Sequence, residues 1–319
     1  MSDATQELGR INWSECFGFT QLFRAFRLAI HPTKLFLAFC GVFLTYGSGR
    51  VLDVVWPTTS RPAVVVVGES TTSELTVFLQ AEGGGRQATS DWLETLESPQ
   101  RTGAFALLLG HGRATIWRVT DAVVSADVGG LVGSIRSGLR GVLWLFALHP
   151  VYAIIFFAAG LVIWAYFGGA LCRVAALHAA REERIGLREA LAFANQKFLS
   201  FLMAPLMPLA ILFLFASFLL AGGLMGAIPA VGEILASILF VLALTGGFII
   251  AFVAIGAVAG YALTFPTVAV EGSDAFDALS RSFSYIYQRP WRSAFYGLLS
   301  LVYGAICLVF VKFLARFML

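Results

Sequence analysis

Residues 234–265 form an unbroken run that contains no Asp, Glu, Lys, Arg or His, and no other feature limits the fold so strongly. As one α-helix the run would be roughly 48 Å long at about 1.5 Å per residue, which exceeds the roughly 30 Å hydrocarbon core of a bilayer. Two helices of half that length would each be too short to cross. We therefore predict one long helix that tilts or protrudes, while Gly246-Gly247 leaves open a break into two helices.

Four further runs are apolar enough to cross a membrane as helices, since a span needs about 20 largely apolar residues. Hydrophobic residues make up 58% of the chain and charged residues only 13%, a composition typical of polytopic membrane proteins. The sequence therefore predicts an all-α polytopic membrane bundle of about five transmembrane helices, at residues 35–56, 151–172, 201–220, 234–265 and 292–316.

Residues 57–150 are the longest segment between predicted spans, and they are too polar and too rich in turn signals to lie wholly within a membrane. Runs of β-branched and apolar residues at 63–67 and 75–79 predict two short strands. Helical spacing at 103–126 and 131–148 predicts two helices, the second lying on the membrane surface or leading into the next span. We predict a small mixed α/β extracytoplasmic insertion.

Residues 271–290 have the pattern of an amphipathic helix at the membrane interface. Asp277 and Arg281 fall away from an apolar stripe, and Pro290 then interrupts the helix before the last span. The stripe consists of side chains at steps of four and three: Ala275, Leu279, Phe283 and Ile286.

Two weaker copies of this pattern occur upstream, within residues 1–34 and 173–200. In the second copy, Ala190-Leu191 aligns with Ala278-Leu279, just after one predicted span and just before another. The recurrence predicts an internal repeat of interfacial amphipathic helix, break and span.

Lys and Arg are concentrated in the three segments that carry these copies, and five spans place all three segments on one side of the membrane. The short turn between the third and fourth spans has neither residue type. The positive-inside rule then predicts a multi-pass protein of a bacterial-type inner (cytoplasmic) membrane with a cytoplasmic N-terminus. Lys312 and Arg316 argue mildly against the extracytoplasmic C-terminus that follows.

Arg50 and Asp53 are the charged residues of the first predicted span, and their spacing places them on one helix face. They form either a buried ion pair that faces the bundle or two side chains that reach water from near the end of the helix. A buried pair would be a candidate site.

Two further sets of charges are candidates for structural ion pairs in the cytoplasmic segments. Asp277 can pair with Arg281 one turn later. Glu183 and Glu271 lie near the cytoplasmic ends of the second and fourth spans, where each would bind the adjacent amphipathic helix or a neighbouring arginine, Arg184 or Arg281. A structural clasp is favoured over a proton or substrate site.

Sequence motifs for metal-dependent, nucleotide-binding or acyl-transfer chemistry are absent, so no catalytic residue, cofactor or metal is expected. The net charge of +3 is small, which gives no support to a nucleic-acid partner. We predict a non-enzymatic integral membrane protein that acts as a scaffold or accessory subunit of a membrane complex. Its expected partners are the lipid bilayer and other membrane-protein subunits or a second copy of itself. The alternatives are a transporter or permease-like protein built on the internal repeat and, third, a membrane enzyme.

Residues 271–292, with the preceding long span and Trp291 at its boundary, resemble uncharacterised polytopic membrane proteins. Their wider relatives include the membrane domain found beside glycerophosphodiester phosphodiesterases. The resemblance is best over residues 173–319 and implies interfacial amphipathic helices that precede spans. The chain has no phosphodiesterase catalytic region, so the resemblance implies no activity and no site residues.

Overall fold

The computed structural model describes residues 23–67, 70–81, 85–96, 100–180, 183, 185–228 and 232–318. These residues form thirteen α-helices and one three-stranded sheet. In chain order the elements are α1 (Ala25–Ala29), α2 (Pro32–Val55), β1 (Ala63–Val67), β2 (Ser70–Ser73), α3 (Glu74–Gln80), α4 (Gly85–Glu94), β3 (Gln100–Arg101), α5 (Ala104–Val124), α6 (Val128–Leu148), α7 (Pro150–Ala180), α8 (Leu187–Gln196), α9 (Phe198–Met203), α10 (Leu206–Gly226), α11 (Gly232–Glu271), α12 (Ala275–Gln288) and α13 (Pro290–Met318).

Six of the described helices are long and apolar enough to cross a membrane: α2, α6, α7, α10, the Ser237–Glu271 part of α11, and α13. Few of their side chains are buried within the protein, and in the most apolar part of α10 none is. Apolar helix surfaces of this extent are typical of contact with lipid. The chain is an all-α, multi-pass membrane bundle, as predicted. The additional helix, α6, falls within the predicted insertion.

Helices α2 and α7 pack side by side in opposite directions. Near the start of α2, Leu37 packs with Ala170 in the second half of α7. Near the end of α2, the Tyr152 hydroxyl at the start of α7 donates a hydrogen bond to Asp53. We call the two ends of this helix pair the Lys34 end and the Asp53 end.

Helix α11 is continuous over 40 residues, so residues 234–265 form one helix, as predicted, and Gly246-Gly247 does not interrupt it. The Arg173 guanidinium, near the end of α7, donates a 2.6 Å hydrogen bond to the Ala269 carbonyl oxygen, near the end of α11. Because these two helix ends meet, both α7 and α11 finish at the Lys34 end. Helix α10 precedes α11 and packs against it as a hairpin, with Leu219 close to Gly246.

A buried aromatic residue fills the space where α7, α9, α11 and α12 meet. Phe201 of α9 is fully buried and packs with Ala165, Val268 and Ala278. A methyl group added at Gly169 would lie 2.7 Å from the Phe201 ring, so only glycine leaves room for that ring. This contact joins α7 and α9 to α11 and α12.

The strand predicted at residues 75–79 is wrong, because these residues belong to helix α3. A capping box starts the helix: the Ser73 hydroxyl accepts from the Thr76 N–H at 3.2 Å, and the Thr76 hydroxyl accepts from the Ser73 N–H at 2.8 Å. The strand predicted at 63–67 is confirmed as β1, the central strand of an antiparallel sheet of order β2-β1-β3.

The third predicted span, residues 201–220, is shifted towards the C-terminus. Helix α9 ends at Met203, and Pro205 occupies the cap position before α10, which runs to Gly226. Gly222-Gly223, predicted in a turn, therefore lie inside α10. In an apolar environment the backbone must satisfy its own hydrogen bonds, which favours helix even at glycines.

Candidate functional site

Asp53 is a buried carboxylate that joins three helices at the Asp53 end of the bundle. It lies in the last turn of α2 and is only 7% exposed. Its oxygens accept hydrogen bonds from the backbone N–H groups of Phe105 at 3.0 Å and Ala106 at 3.2 Å. The Tyr152 hydroxyl donates a third bond at 2.6 Å. Asp53 therefore supplies the negative charge and the acceptors that the N-terminus of α5 needs.

The cap position of α5 is Gly103, and its lack of a side chain is required by this arrangement. A Cβ atom there would overlap the Asp53 carboxylate. Arg50, the predicted partner of Asp53, is instead exposed, with its guanidinium carbon 5.9 Å from the centre of the Tyr46 ring. Among the described residues, no ion pair joins Arg50 to Asp53, whose carboxylate binds the start of α5 and Tyr152 instead.

A second buried acid, Glu74, lies in the same region and was not singled out from the sequence. It is 2% exposed, and one carboxylate oxygen is 2.9 Å from Nε2 of His149. The other oxygen accepts from the Ala63 N–H at 3.2 Å. Glu74 therefore ties α3 and β1 to the junction of α6 and α7.

Arg140 of α6 completes this junction by donating hydrogen bonds to carbonyl groups at the C-terminal end of α3. Its guanidinium binds the carbonyl oxygens of Phe78 at 3.0 Å and Ala81 at 2.6 Å. A cation at a helix C-terminus pairs with carbonyl groups that have no partner inside the helix. Asp53 and Glu74 thus fasten residues 63–148 to the bundle, and Arg140 ties α6 to α3 within that segment.

At the Lys34 end of the bundle, a buried lysine lies beside a pair of packed histidines. Lys34 is 6% exposed, and its Nζ donates to the Leu28 carbonyl oxygen at 2.8 Å. Nζ is also 3.1 Å from Nδ1 of His178. An ammonium group has only donors, so this histidine nitrogen accepts. The His31 ring packs edge-on against His178, with ring centres 5.5 Å apart. The contact closes the Lys34 end of α2 on α7.

Asp277, Arg281 and Glu271 come together at the junction of α11 and α12. The Arg281 guanidinium is 2.7 Å from Glu271 and 3.1 Å from Asp277. Hydrogen bonding to Asp277, with the charges of Asp277 and Glu271, raises the pKa of Arg281. Glu183, the predicted counterpart of Glu271, is exposed, and Arg184 lies outside the described residues.

Helix α12 turns one face towards the protein, and five of its residues are buried: Ala275, Ala278, Leu279, Ser282 and Ile286. Phe283 is half-buried and its ring lies against Gly256 of α11. Asp274 holds the cap position without a side-chain hydrogen bond. Gly272 has a positive φ of 65°, the left-handed conformation that glycine adopts readily at the end of a helix.

A groove lies between α2 and α5, beside Arg50. It encloses about 530 Å³, and its walls include Tyr46, Arg50, Phe105, Arg113 and Trp117. We call it the α2–α5 groove. Among the described residues, no group of three or more His, Cys, Asp or Glu side chains could hold a metal ion.

The contacts that the sequence did not reveal join residues far apart in the chain. Tyr152 is 99 positions from Asp53, and His178 is 144 positions from Lys34. One signal was available: Asp53 is the only acidic residue in residues 35–56, so a buried acceptor role was open to it. Comparisons of the chain with protein-family models, with curated proteins and with solved structures find no match.

Proposed function

We propose that the chain is a non-enzymatic multi-pass membrane protein that acts as a scaffold or accessory subunit of a membrane complex. The observation that carries the proposal is the exposed surface of the α10–α11 hairpin. Within α10 only Pro208 is buried, and every residue of α11 from 237 to 252 is at least partly exposed. This half of the hairpin has a surface for lipid or for another membrane helix.

The glycines on this surface favour contact with another membrane helix, in addition to lipid. A Cβ atom added at Gly222, Gly223 or Gly247 would meet no atom within 4 Å. Small residues on transmembrane helices allow another helix to approach closely and gain packing contacts that lipid does not supply. We propose that a partner subunit or a second copy of the chain docks here.

The buried charges also support a structural role. Asp53, Glu74 and Lys34 each make hydrogen bonds that join separate segments of the chain. An acid or base that served catalysis would instead have to reach a substrate with its reacting atom. Their contacts therefore favour assembly of the fold over chemistry.

The test of this proposal is the mass of the protein extracted from its own membranes in a mild non-ionic detergent. We expect a complex larger than one chain by native mass spectrometry. Gly247→Leu should break it up, because the added side chain blocks close helix approach. Gly160→Leu in α7 is the matched control, since Gly160 also has open space around it. A single chain in every preparation of the unaltered protein would refute the proposal.

We further propose five spans, namely α2, α7, α10, α11 and α13, with residues 57–149 forming an extracytoplasmic insertion. The antiparallel pairing of α2 and α7 supports this count. Helix α5 begins beside Asp53, and α6 ends beside Tyr152, so the α5–α6 hairpin starts and finishes at the same end. If α2 and α7 both cross the membrane, α6 cannot be the only helix between them that crosses, because α2 ends and α7 begins at the same end.

The positive-inside rule supports a cytoplasmic Lys34 end in a bacterial-type inner membrane. Single cysteines at Thr95 and Gln288, both exposed, test this topology in a variant whose native cysteines are replaced. A membrane-impermeant maleimide should label Thr95→Cys in intact cells and Gln288→Cys only after permeabilisation. Labelling of both cysteines in intact cells would overturn this topology. The resemblance to the membrane domain associated with glycerophosphodiester phosphodiesterases stays a prediction about architecture alone.

A further inference from the structure

The α2–α5 groove is shaped by two helices only. Tyr46 and Arg50 come from α2, and the opposite wall comes from one face of α5, including Leu109, Arg113 and Trp117. Its volume of about 530 Å³ lies within the usual range for ligand pockets, roughly 300–1,000 Å³. Because α2 is a membrane-spanning candidate and the described lining comes from α2 and α5 alone, the groove would face the bilayer sideways once α2 spans a membrane.

The groove exposes two arginines. The buried Asp53 carboxylate is bound to the backbone N–H groups of two wall residues, Phe105 and Ala106. Arg50 and Arg113 are both exposed, and none of the ion pairs in the described part of the chain involves either of them. Asp53 is close to Arg50 in sequence but binds the start of α5 and Tyr152. At the other end of the groove wall, Nζ of Lys312 lies 3.9 Å from the centre of the Trp117 ring.

A cation on a membrane-spanning helix is costly within the hydrocarbon core unless an anion, water or the headgroup region compensates it. A guanidinium group binds phosphate oxygens through paired N–H donors, which makes arginine well suited to phosphate. Other residues of the groove wall are apolar, among them Phe105, Leu109 and Trp117. The chemistry of the groove therefore matches an amphipathic ligand with an anionic head and an apolar tail.

We propose that the α2–α5 groove binds a phospholipid with a net negative headgroup. Arg50 and Arg113 bind the phosphate, and an acyl chain lies along the apolar wall of α5. A lipid fits better than free phosphate because the groove opens sideways and has an apolar wall. The bound lipid would fill the space between α2 and the insertion, so it would also hold α5 against the bundle.

Quenching of tryptophan fluorescence by brominated lipid tests the proposal with the full chain. The purified protein in neutral detergent is titrated with phosphatidylglycerol whose acyl chains carry bromine. The signal of the groove is the difference in quenching between the unaltered protein and Trp117→Phe. We expect it to saturate at about tenfold lower mole fraction of phosphatidylglycerol than of brominated phosphatidylcholine, a difference of one decade in affinity.

Arg50→Gln and Arg113→Gln should each weaken phosphatidylglycerol binding by about tenfold, since each removes a charge-assisted contact with the phosphate. Arg118→Gln is the matched control on α5, because Arg118 is exposed but does not line the groove. Gly110→Phe gives an independent variant: it fills part of the groove without adding a tryptophan, leaves the charges in place, and should also weaken binding.

Three results would overturn the proposal. The first is an equal loss with Arg118→Gln, which would indicate a diffuse electrostatic effect. The second is displacement of the brominated lipid by millimolar inorganic phosphate, which would identify free phosphate as the ligand. The third is unchanged quenching in Gly110→Phe and in both groove-arginine variants. The readout is independent of whether the protein forms a complex, so it fails or succeeds separately from the scaffold proposal.

Discussion

The bond between Tyr152 and Asp53 should contribute measurably to the stability of the bundle. The hydroxyl and carboxylate oxygens are 2.6 Å apart, Tyr152 is 1% exposed and Asp53 is 7% exposed. A hydrogen bond to a charged group contributes about 1.5–3 kcal/mol. Tyr152→Phe removes that bond but leaves Asp53 with two backbone donors, so we expect a loss of about 2 kcal/mol in the free energy of unfolding.

Asp53→Ala should cost more, because it leaves three donors without their acceptor. At roughly 1–2 kcal/mol for each donor, the loss should be about 4 kcal/mol. Once the carboxylate is gone, Tyr152→Phe should change little. The double variant should therefore be about as stable as Asp53→Ala alone, a coupling of about 2 kcal/mol between the two sites.

The measurement is reversible unfolding in mixed micelles with a rising fraction of dodecyl sulfate, followed by circular dichroism and tryptophan fluorescence. Tyr261→Phe is the control, because Tyr261 is 67% exposed and its substitution should leave the midpoint unchanged. If the effects of Asp53→Ala and Tyr152→Phe add to within about 0.5 kcal/mol, the carboxylate and the hydroxyl do not act as a pair and the argument fails.

Two further substitution pairs follow from the same structure. Gly103→Ala should destabilise the protein because its methyl group would overlap Asp53, whereas Gly110→Ala on the open face of α5 should be neutral or stabilise by up to about 1 kcal/mol; dodecyl sulfate unfolding distinguishes them. Phe283→Asp should reduce the amount of protein in the membrane fraction, because Phe283 packs on α11, whereas Ser284→Asp on the exposed side should not. Equal extraction of Phe283→Asp and the unaltered protein would contradict the interfacial-helix prediction.

The membrane helices were the part of the fold that the sequence predicted best, because a long apolar run is a local property. The run at 234–265 became part of one helix, since a break would have left backbone groups without partners in an apolar environment. Boundaries were less accurate where proline intervened. Pro205 separates α9 from α10 inside what sequence reasoning took as one span.

Helix α3 shows why alternation alone was misleading. Leu75, Val77 and Leu79 alternate with other residues as in a strand, yet the capping box of Ser73 and Thr76 begins a helix there. The usual capping box has Glu or Gln at the third helical position, and here a threonine hydroxyl takes that role. A local hydrogen-bond pattern thus outweighed the hydrophobic period.

The candidate site depended on how α2 pairs with α7, and no local pattern encodes that pairing. Arg50 and Asp53 share a helix face by spacing, which made an ion pair reasonable. Yet the N-terminus of α5 supplies two N–H groups beside Asp53, and Tyr152 supplies a third donor. The exposed pair of Asp277 and Arg281 was easier to foresee because both residues lie on one helix.

Helices α8 and α12, which belong to the predicted internal repeat, bury alanines at equivalent positions. Aligning Leu187 with Ala275, the first residues of the two helices, places Ala190 on Ala278, and both alanines are fully buried. Each helix packs along the second half of the long helix before it, α8 on α7 and α12 on α11.

Arg173 of α7 links α8 to α11. Its guanidinium lies 4.2 Å from the centre of the Phe193 ring in α8 and also donates to the Ala269 carbonyl oxygen near the end of α11. A cation is favoured at a helix C-terminus, where carbonyl groups have no partner within the helix. The same side chain therefore packs against α8 and binds the last turn of α11. This contact places the Arg173 turn of α7 beside the last turn of α11.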